Sequence, residues 1–349
     1  MPLDKAILLA AGDGTRLKPI TNKIPKPLIN IAGKPLINWI LEYLGSYQVN
    51  HFIIVINPRD EKLFKDKIAG RDARIEFVFQ GKPTGMTDAI LKARDYMTGD
   101  FIISAGDMIT PLGHVKDMIE AHESSSPFAT LSLFKASVDH VEGMGNVALD
   151  ENGDVVQIIE KPTKEEVIGP YYSFPFYIFN EQLVEYLEKC PVSKRGEREL
   201  QDAVQLALDD GKRVRGIPIK KNFSSDPREF KKELGTIHIT NPVDYFNCNL
   251  WILKSKGIEK PIDVLCTMIE PVIVGKDCMI ADDCLLGPNV IIENNVEIGA
   301  LTEISNAIIS ENCKIGNNCY LDNVILLGNK KIDDNSDIKE NKGEVKIIE

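Results

Sequence analysis

Two glycines and two basic residues near the start of the chain have the types and spacing of a phosphate-binding loop. Gly12 and Gly14 follow a short apolar run, and glycine lets backbone N–H groups approach phosphate oxygens closely. Arg16 lies on the same loop, and Lys26 stands between two prolines that restrict the chain around it. A glycine-rich turn with two fixed cations indicates that the loop holds a nucleoside triphosphate.

Two familiar phosphate motifs do not fit these residues. A Walker A loop needs a Lys-Ser/Thr pair at a set distance after its first glycine, and no such pair follows Gly12 at that distance. A dinucleotide fingerprint needs a third glycine at the position that Leu17 occupies. The loop therefore belongs to another class of triphosphate site.

Further polar residues stand where apolar runs end. Asp107 comes just after one apolar run, and Gln80 ends another. Gly85 precedes a helical pattern, and Glu160 and Lys161 close a third apolar run. Displacement at phosphorus needs cations on the phosphates, a carboxylate for a divalent metal, and polar groups for base and sugar. These residue types match that need.

The elements that must position these residues alternate along the first two thirds of the chain. Apolar runs predict strands at 6–11, 52–57, 75–79, 101–105, 129–134, 155–160, 172–179 and 214–219. Helical patterns fall at 36–47, 61–69, 86–96, 113–124, 181–190 and 200–210. This alternation predicts an α/β fold with a mainly parallel sheet, in which ligands bind at the carboxyl ends of the strands.

After Pro271 apolar residues recur every six positions, at Val274, Ile280, Leu286, Ile292, Ile298 and Ile304, and then, after a slip of one residue, at Ile309, Ile315, Leu321 and Leu327. Hexapeptide periodicity is typical of a β-helix, and the pattern resembles the left-handed parallel form. A second inward series contains Cys278, Cys284, Cys313 and Cys319, which we interpret as compact apolar residues.

The predicted domains are a catalytic domain at 1–232, a connector at 233–270, a β-helix at 271–328 and a charged tail at 329–349. The chain has 349 residues, a net charge of -11 and seven cysteines without a Cys-x-x-Cys pair. The acidic balance argues against nucleic acid and anionic membrane as partners, and the cysteine pattern against a disulfide framework or zinc site. We expect a cytoplasmic protein.

The loop resembles the signature of the sugar-phosphate nucleotidylyltransferases, Gly-x-Gly-Thr-Arg-Leu followed some ten residues on by Pro-Lys-Pro. Here the two pieces are residues 12–17 and 25–27. The resemblance implies that Arg16 and Lys26 are catalytic. It also implies a nucleotide-binding set that comprises Leu9, Ala10, Ala11, Gly12, Gly14, Thr15, Gln80 and Gly85.

The same resemblance implies roles for the later strand ends. Asp107 matches the Gly-Asp position that holds Mg²⁺ in the family, and Gln80 with Gly85 matches the pair that reads the base, favouring uracil or thymine. Gly145, Glu160 and Lys161 match the sugar-phosphate site, although a strand-end Glu-Lys pair also occurs as a surface ion pair.

Two segments depart from the family pattern. The first, residues 172–177, lacks the Asn and Gly that the family often places before an aromatic strand in the sugar pocket, and the second is residues 235–244. The residues from Gly235 to Asp244 correspond to Trp-x-Asp-Ile-x-Thr-Pro, and His238 stands where the family has a second metal-ligating Asp. Histidine suits Mg²⁺ poorly. Either Asp107, phosphates and water alone hold the metal, or His238 is a structural residue and the correspondence is shifted.

The resemblance implies transfer of a nucleotidyl group from UTP or dTTP to glucose or N-acetylglucosamine 1-phosphate. Two alternatives stay open. One is a catalytically silent regulatory homologue that binds sugar nucleotides. The other is a bifunctional enzyme with an acetyltransferase β-helix, although such domains use a histidine and all five histidines here precede the β-helix. We expect a homo-oligomer assembled through the β-helix.

Overall fold

The computed structural model describes residues 3–68, 72–82, 85–110, 112–135, 145–193, 196–219, 237–256, 266–341 and 343–349. Contacts between Cα atoms divide the chain into two compact units. The first contains the described residues up to 237 except 14–35, and the second contains 14–35 and the described residues from 238 onwards.

Between residues 3 and 219 the strands are β1 (Lys5–Leu9), β2 (Asn30–Ile31), β3 (Lys34–Pro35), β4 (His51–Ile56), β5 (Arg74–Phe79), β6 (Phe101–Ala105), β7 (Met108–Ile109), β8 (Ala129–Lys135), β9 (Asn146–Leu149), β10 (Val155–Ile159), β11 (Tyr171–Phe179) and β12 (Val214–Pro218). The α-helices are α1 (Leu36–Gly45), α2 (Glu61–Ile68), α3 (Met86–Lys92), α4 (Leu112–Ser125), α5 (Leu183–Lys189) and α6 (Leu200–Asp209).

The first unit is built on one mixed sheet in the order β10-β9-β11-β6-β1-β4-β5, with β8 added to β11 and β12 to β8. β5, β4, β1 and β6 run parallel, whereas β11 is antiparallel to β6. The central strands β1, β4 and β6 are almost fully buried, as expected of parallel strands covered on both faces. The α/β prediction is confirmed.

Helix α6 shows how the helices cover this sheet. Its buried residues Leu200, Ala203, Val204 and Ala207 recur at the spacing of one helical face, and they join the core with residues of β8, β11 and β12. Helix α3 is shorter than predicted and is followed by a 3-10 turn at Arg94–Tyr96. Strand β9, which the sequence analysis missed, pairs with β10 and β11.

In the second unit, residues 14–35 group with the C-terminal part of the chain and not with the predicted catalytic domain 1–232. The side chains of Asn249 and Glu293 explain this grouping. The Ala32 amide donates to Asn249 Oδ1 at 2.8 Å, and Asn30 Nδ2 donates to Glu293 Oε1 at 2.8 Å. Asn249 is buried on α7 (Pro242–Lys256).

The C-terminal strands are β13 (Ile237–His238), β14 (Thr267–Met268), β15 (Val272–Val274), β16 (Met279–Ile280), β17 (Leu285–Leu286), β18 (Val290–Ile292), β19 (Glu297–Ile298), β20 (Glu303–Ile309), β21 (Lys314–Ile315), β22 (Tyr320–Leu326), β23 (Lys331–Ile332), β24 (Asp337–Lys339) and β25 (Lys346–Ile348). From β14 onwards they pair only in parallel. They stack in three series: β14-β17-β20-β22-β24, β15-β18-β20-β22-β25 and β16-β19-β21-β23. This is the predicted parallel β-helix.

The length of one coil changes along this β-helix. Val272 pairs with Val290, a step of 18 residues, whereas Val290 pairs with Ala307, a step of 17. The change is the predicted slip of one residue. A second slip was not predicted: Leu326 lies in the core after Leu321, and Leu327 is only half-buried.

The β-helix extends beyond 271–328 in both directions, so these two predicted boundaries are wrong. β14 precedes Pro271 and pairs with β17, and β23, β24 and β25 continue the stack through the predicted charged tail. The sequence pattern did not reveal these strands because half of their residues are charged. Ile332, however, is buried at 7% exposure and adds to the core.

Four cysteines line the corners of the β-helix, as predicted, with Cys284, Cys313 and Cys319 buried and Cys278 half-buried. Each thiol donates to a carbonyl of the next coil, as Cys284 Sγ does to the Gly299 oxygen at 3.1 Å. Thr302 uses its hydroxyl in the same way on Gly316 at 2.9 Å. Across the described residues, no helix has the length and apolarity needed to cross a membrane.

Candidate active site

The carboxyl ends of the parallel strands in the first unit are joined beyond the last strand residues. The Gly106 amide donates to the Leu9 carbonyl at 2.8 Å, and the Ala10 amide donates to the Val55 carbonyl at 2.8 Å. These bonds bring the end of β1 and the turn that contains Asp107 to one edge of the sheet. Leu9, Ala10 and Asp107, predicted from separate motifs, are therefore neighbours.

Gly106 is required by this close approach. A Cβ atom at position 106 would lie 2.9 Å from the Leu9 carbonyl oxygen and 3.1 Å from the Ala10 Cβ. The absence of a side chain lets β6 continue against β1 up to the residue before Asp107. Asp107 itself is half-buried.

Gln80 reaches the same edge from the end of β5, where its backbone N–H group donates to the Ile56 carbonyl at 2.9 Å. Its side chain is 4% exposed, and its Nε2 atom donates to the Gly85 carbonyl at 3.3 Å and to Asp88 Oδ2 at 3.1 Å. Because both partners are acceptors, the amide nitrogen must face them. Gln80 thus fixes the turn into α3.

Gly85 begins α3 with a backbone that glycine alone adopts readily, at φ 105° and ψ 166°. A Cβ atom there would also lie 3.2 Å from Glu197 Oε2. The structure therefore brings together Gln80 and Gly85, the two residues that the resemblance assigns to the base.

Gly145, Glu160 and Lys161 form a second group on the same sheet. Ile159 pairs with Asn146, so the antiparallel register sets Glu160 opposite Gly145. On the other side the Ser173 amide donates to the Gly145 carbonyl at 2.7 Å. Because β11 is antiparallel to β6, this part of β11 lies towards the carboxyl edge of β6, where Asp107 follows.

Lys161 adopts φ 46°, in the left-handed region that a residue with a long side chain rarely occupies. Its Nζ atom lies 3.6 Å from Glu160 Oε1. The side chain of Lys161 is 43% exposed and that of Glu160 only 11%. The left-handed residue turns the chain directly after β10 and leaves the ammonium group accessible beside a largely buried carboxylate.

Three residues of this group were missed by the sequence analysis: Ser173, Tyr177 and Gln201. Gln201 Nε2 and the Tyr177 hydroxyl each donate to Ser173 Oγ at 3.5 Å. Burial, and to a lesser degree the charge of Glu160, raises the pKa of Tyr177, which keeps the phenol protonated. The available signal was a polar residue, Gln201, on the otherwise apolar face of a predicted helix.

The glycine loop is divided between the two units after Asp13. In the first unit Gly12 is exposed, and a Cβ atom there would meet no atom of the described residues within 4 Å. Asp13 Oδ1 accepts a hydrogen bond of 2.6 Å from Arg59 Nη2, and this ion pair fixes the end of the segment. Ala11 is buried beneath it.

In the second unit Gly14 adopts the left-handed conformation, at φ 58° and ψ 31°, and its carbonyl accepts from Thr21 Oγ1 at 2.8 Å. A Cβ atom on Gly14 would lie 3.2 Å from the Lys26 Cβ, so the loop folds Lys26 back beside Gly14. Lys26 is buried, whereas Thr15 and Arg16 are exposed. The two predicted cationic residues thus differ in their surroundings, since Lys26 is packed inside the protein and Arg16 faces solvent.

The residues that could ligate a metal can be compared with those that the predicted Mg²⁺ ion needs. Among the described residues no three His, Cys, Asp or Glu side chains come together in a way that could hold an ion. Mg²⁺ is commonly bound through one or two carboxylates together with substrate phosphates and water. The residues present, with Asp107 as the carboxylate, fit that mode. The side chain of His238 lies outside the described residues.

Comparison with known proteins identifies the family of this chain. The profile of the family described as nucleotidyl transferase matches residues 5–228, and the profile of the GMPPB C-terminal domain matches residues 268–345. The first match spans the α/β sheet described above and covers more than half of the chain. The chain belongs to the nucleotidyl transferase family.

Several curated proteins are similar to this chain. The bifunctional protein GlmU of Methanococcus maripaludis is 33% identical over 218 residues, which are 62% of this chain and 49% of that protein. The low-salt glycan biosynthesis nucleotidyltransferase Agl11 of Haloferax volcanii is 28% identical over 73% of this chain and 68% of its own length. A glucose-1-phosphate thymidylyltransferase of Streptomyces griseus is 29% identical over 62% of this chain and 60% of its own length.

The chain spans about half the length of the GlmU proteins that it matches. Among solved structures, a UDP-glucose pyrophosphorylase in complex with UDP-glucose superposes with a TM-score of 0.61 at 19% identity. That superposition covers 73% of this chain and all of the other. It establishes the likeness of the fold.

Proposed function

We propose that this protein transfers a nucleotidyl group from UTP or dTTP to glucose 1-phosphate or N-acetylglucosamine 1-phosphate. The products are the nucleoside diphosphate sugar and pyrophosphate. The observation that carries the proposal is the shared sheet edge of a nucleotidyl transferase family member, where backbone hydrogen bonds hold Ala10, Gln80 and Gly106, the residue before Asp107.

The reaction requires placement and charge neutralisation more than covalent participation of the protein. A phosphate oxygen of the sugar 1-phosphate forms a bond to the α-phosphorus, and the bond from that phosphorus to the β-phosphate oxygen breaks. In our proposal Arg16 neutralises the departing pyrophosphate, Lys26 holds the α-phosphate, and Lys161 holds the sugar phosphate. Gly12, Gly14 and Thr15 present backbone N–H groups to the triphosphate.

We assign Asp107 as the protein ligand of Mg²⁺. When bound, a divalent ion supplies positive charge that stabilises the phosphate oxygens during displacement. The half-buried position of Asp107 at the end of β6 supports this role. Replacement by Asn would keep the shape of the side chain and remove its charge.

The base and sugar are assigned by similarity. Gln80 has an amide, which suits the imide edge of uracil or thymine, and the similar protein of Streptomyces griseus is a thymidylyltransferase that acts on glucose 1-phosphate. The solved structure with the similar fold contains UDP-glucose. Glu160 and Gly145 are proposed to contact the sugar.

The decisive experiment measures pyrophosphate release with Mg²⁺ for each nucleoside triphosphate paired with glucose, N-acetylglucosamine and mannose 1-phosphates. We expect turnover with UTP or dTTP and with one of the first two sugars. Asp107→Asn should abolish turnover, whereas the control Asp95→Asn, at a side chain that is 92% exposed, should not change it. Nucleotide binding without turnover in any pair would instead favour the regulatory alternative.

A further inference from the structure

We propose that Gln201 selects the sugar substrate, because its side-chain oxygen accepts a hydrogen bond from one hydroxyl or amide N–H group of the sugar ring. This inference rests on the proposed function and adds a specificity-determining residue to it. The observation that carries it is a buried amide oxygen that has no hydrogen-bond partner among the described residues, on a side chain that packs beside the backbone of Gly145.

The burial of Gln201 makes its hydrogen bonding consequential. The residue is 7% exposed, and its Nε2 atom donates to Ser173 Oγ at 3.5 Å. Its Oε1 atom is buried and accepts no hydrogen bond from any described residue. Buried polar atoms in native proteins are almost always paired, so an unpaired carbonyl oxygen calls for a donor that the described residues do not supply and that a bound ligand can supply.

The position of Gln201 indicates which donor that is. A Cβ atom on Gly145 would lie 3.0 Å from both Cγ and Nε2 of Gln201 and 2.7 Å from Ser173 Oγ. The glycine therefore allows the Gln201 amide to pack directly on the backbone that leads into β9. Glu160 stands opposite Gly145 in the register of β9 and β10, so the side-chain amide of Gln201 adjoins the residues proposed to hold the sugar.

The chemistry of the atom restricts its ligand. An amide oxygen can only accept, so its partner must carry an O–H or N–H group. Phosphate oxygens that are ionised, the ring oxygen and methylene groups of a sugar cannot donate. A free hydroxyl or an acetamido N–H group on the ring can, and a deoxy position at the same carbon cannot.

The test uses a matched pair of glutamines on α6. Gln201→Met removes the acceptor and keeps the length of the side chain. Gln205→Met makes the same change one turn further along the helix, where the amide is satisfied within the protein: Gln205 Oε1 accepts from the Ile158 amide at 2.9 Å and Nε2 donates to Asp209 at 2.8 Å. Gln205→Met is expected to keep the substrate preference of the wild type.

The measurement is kcat/KM for glucose 1-phosphate, its 2-, 3-, 4- and 6-deoxy analogues and N-acetylglucosamine 1-phosphate, with the triphosphate that the wild type uses. We expect the wild type to disfavour the deoxy analogue at the contacted position by about tenfold or more. In Gln201→Met that discrimination should fall to about twofold or less while discrimination at the other positions is retained. If Gln201 had a merely structural role, its replacement would lower kcat/KM for all substrates alike.

An unchanged ranking in Gln201→Met, with a folded protein, would overturn the inference. Should Gln201→Met fail to fold, Gln201→Asn keeps the amide but withdraws it by one methylene, and it should weaken the same discrimination. A wild type that is inactive with every sugar phosphate would overturn the proposed function itself, and this inference with it. An active wild type with unaltered ranking overturns the inference alone.

Discussion

At the scale of residues, the glycines of the candidate site serve different purposes. Gly106 lets two backbones approach, and a methyl group there would collide with the Leu9 carbonyl. Gly12 makes no such contact, so none of the described residues requires the absence of a side chain at this position. A ligand that approaches the backbone would explain it.

Gly12→Ala is therefore expected to fold with an unchanged free energy of unfolding and to bind triphosphate at least about tenfold more weakly, because a methyl group would keep phosphate oxygens from the backbone. Calorimetric titration with UTP and dTTP measures the binding. Gly45→Ala is the control, since a Cβ atom at Gly45 also meets nothing within 4 Å. Equal affinities in the two variants would exclude the role of Gly12.

Arg16 is exposed, so its replacement should not disturb the fold. If it neutralises the leaving pyrophosphate, Arg16→Ala should lower kcat by at least about 100-fold, since charge stabilisation of this kind contributes several kcal/mol to a transition state. Lys23→Ala, at another exposed cation of the same segment, is the control. Near-normal turnover of Arg16→Ala would refute the assignment.

At the scale of elements, the corner cysteines of the β-helix act as small hydrogen-bond donors between coils. Cys284→Ala should lower the free energy of unfolding by about 1–2 kcal/mol, because it removes the S–H donor to Gly299 and leaves a small cavity. Cys284→Ser should lower the free energy of unfolding by less, since the hydroxyl of Thr302 makes the equivalent hydrogen bond in the next coil. Urea unfolding measures both, and equal losses would contradict the donor role.

The packing of α4 on β8 introduces a pH dependence. Burial lowers the pKa of His122, although the charge of Asp100 at 3.7 Å and that of Glu123 oppose the shift. Between the lowered pKa and about 6.5 the unfolded chain binds a proton that the folded chain does not. The contribution of His122 to stability is thus complete above about 6.5, falls as the pH drops through this window, and is constant below it.

Urea unfolding of the wild type and of His122→Asn at pH about 7.5 and about 5.5 checks this dependence. We expect the wild type to lose more stability than the variant between the two values. Nδ1 of His122 is 2.8 Å from Thr130 Oγ1, so the variant will also be less stable at both. Parallel losses in the two proteins would show that His122 does not titrate in this range.

The sequence predicted elements better than their ends and better than the full site. The runs that became β1, β4 and β6 were unambiguous because strands buried on both faces are continuously apolar. The charged strands β23 and β24 were missed because a solvent-facing coil carries few apolar residues. Gln201 was missed because a single polar residue on a helix reveals its surroundings only after the helix is packed.

At the scale of the whole molecule, the β-helix presents apolar residues on its outer surface. Met279 is 62% exposed in the series β16-β19-β21-β23. Flat faces with such residues pack well against copies of themselves. We predict a homo-oligomer, and light scattering measures its mass.

Met279→Glu should shift the measured mass towards that of a single chain, because a charge would then be buried at each contact. Tyr320→Ser alters an exposed side chain in another series of strands and is the control. A wild type with the mass of one chain would refute the prediction.

The step of 17 residues between paired strands has an evolutionary consequence. From β20 onwards each coil pairs with the next at the same step, so Glu303 pairs with Tyr320 and Tyr320 pairs with Asp337. A tandem duplication of one such segment in the gene would insert a complete rung whose upper and lower surfaces match those already present. The β-helix can thus lengthen or shorten between relatives in whole repeats, without any coordinated change elsewhere in its core.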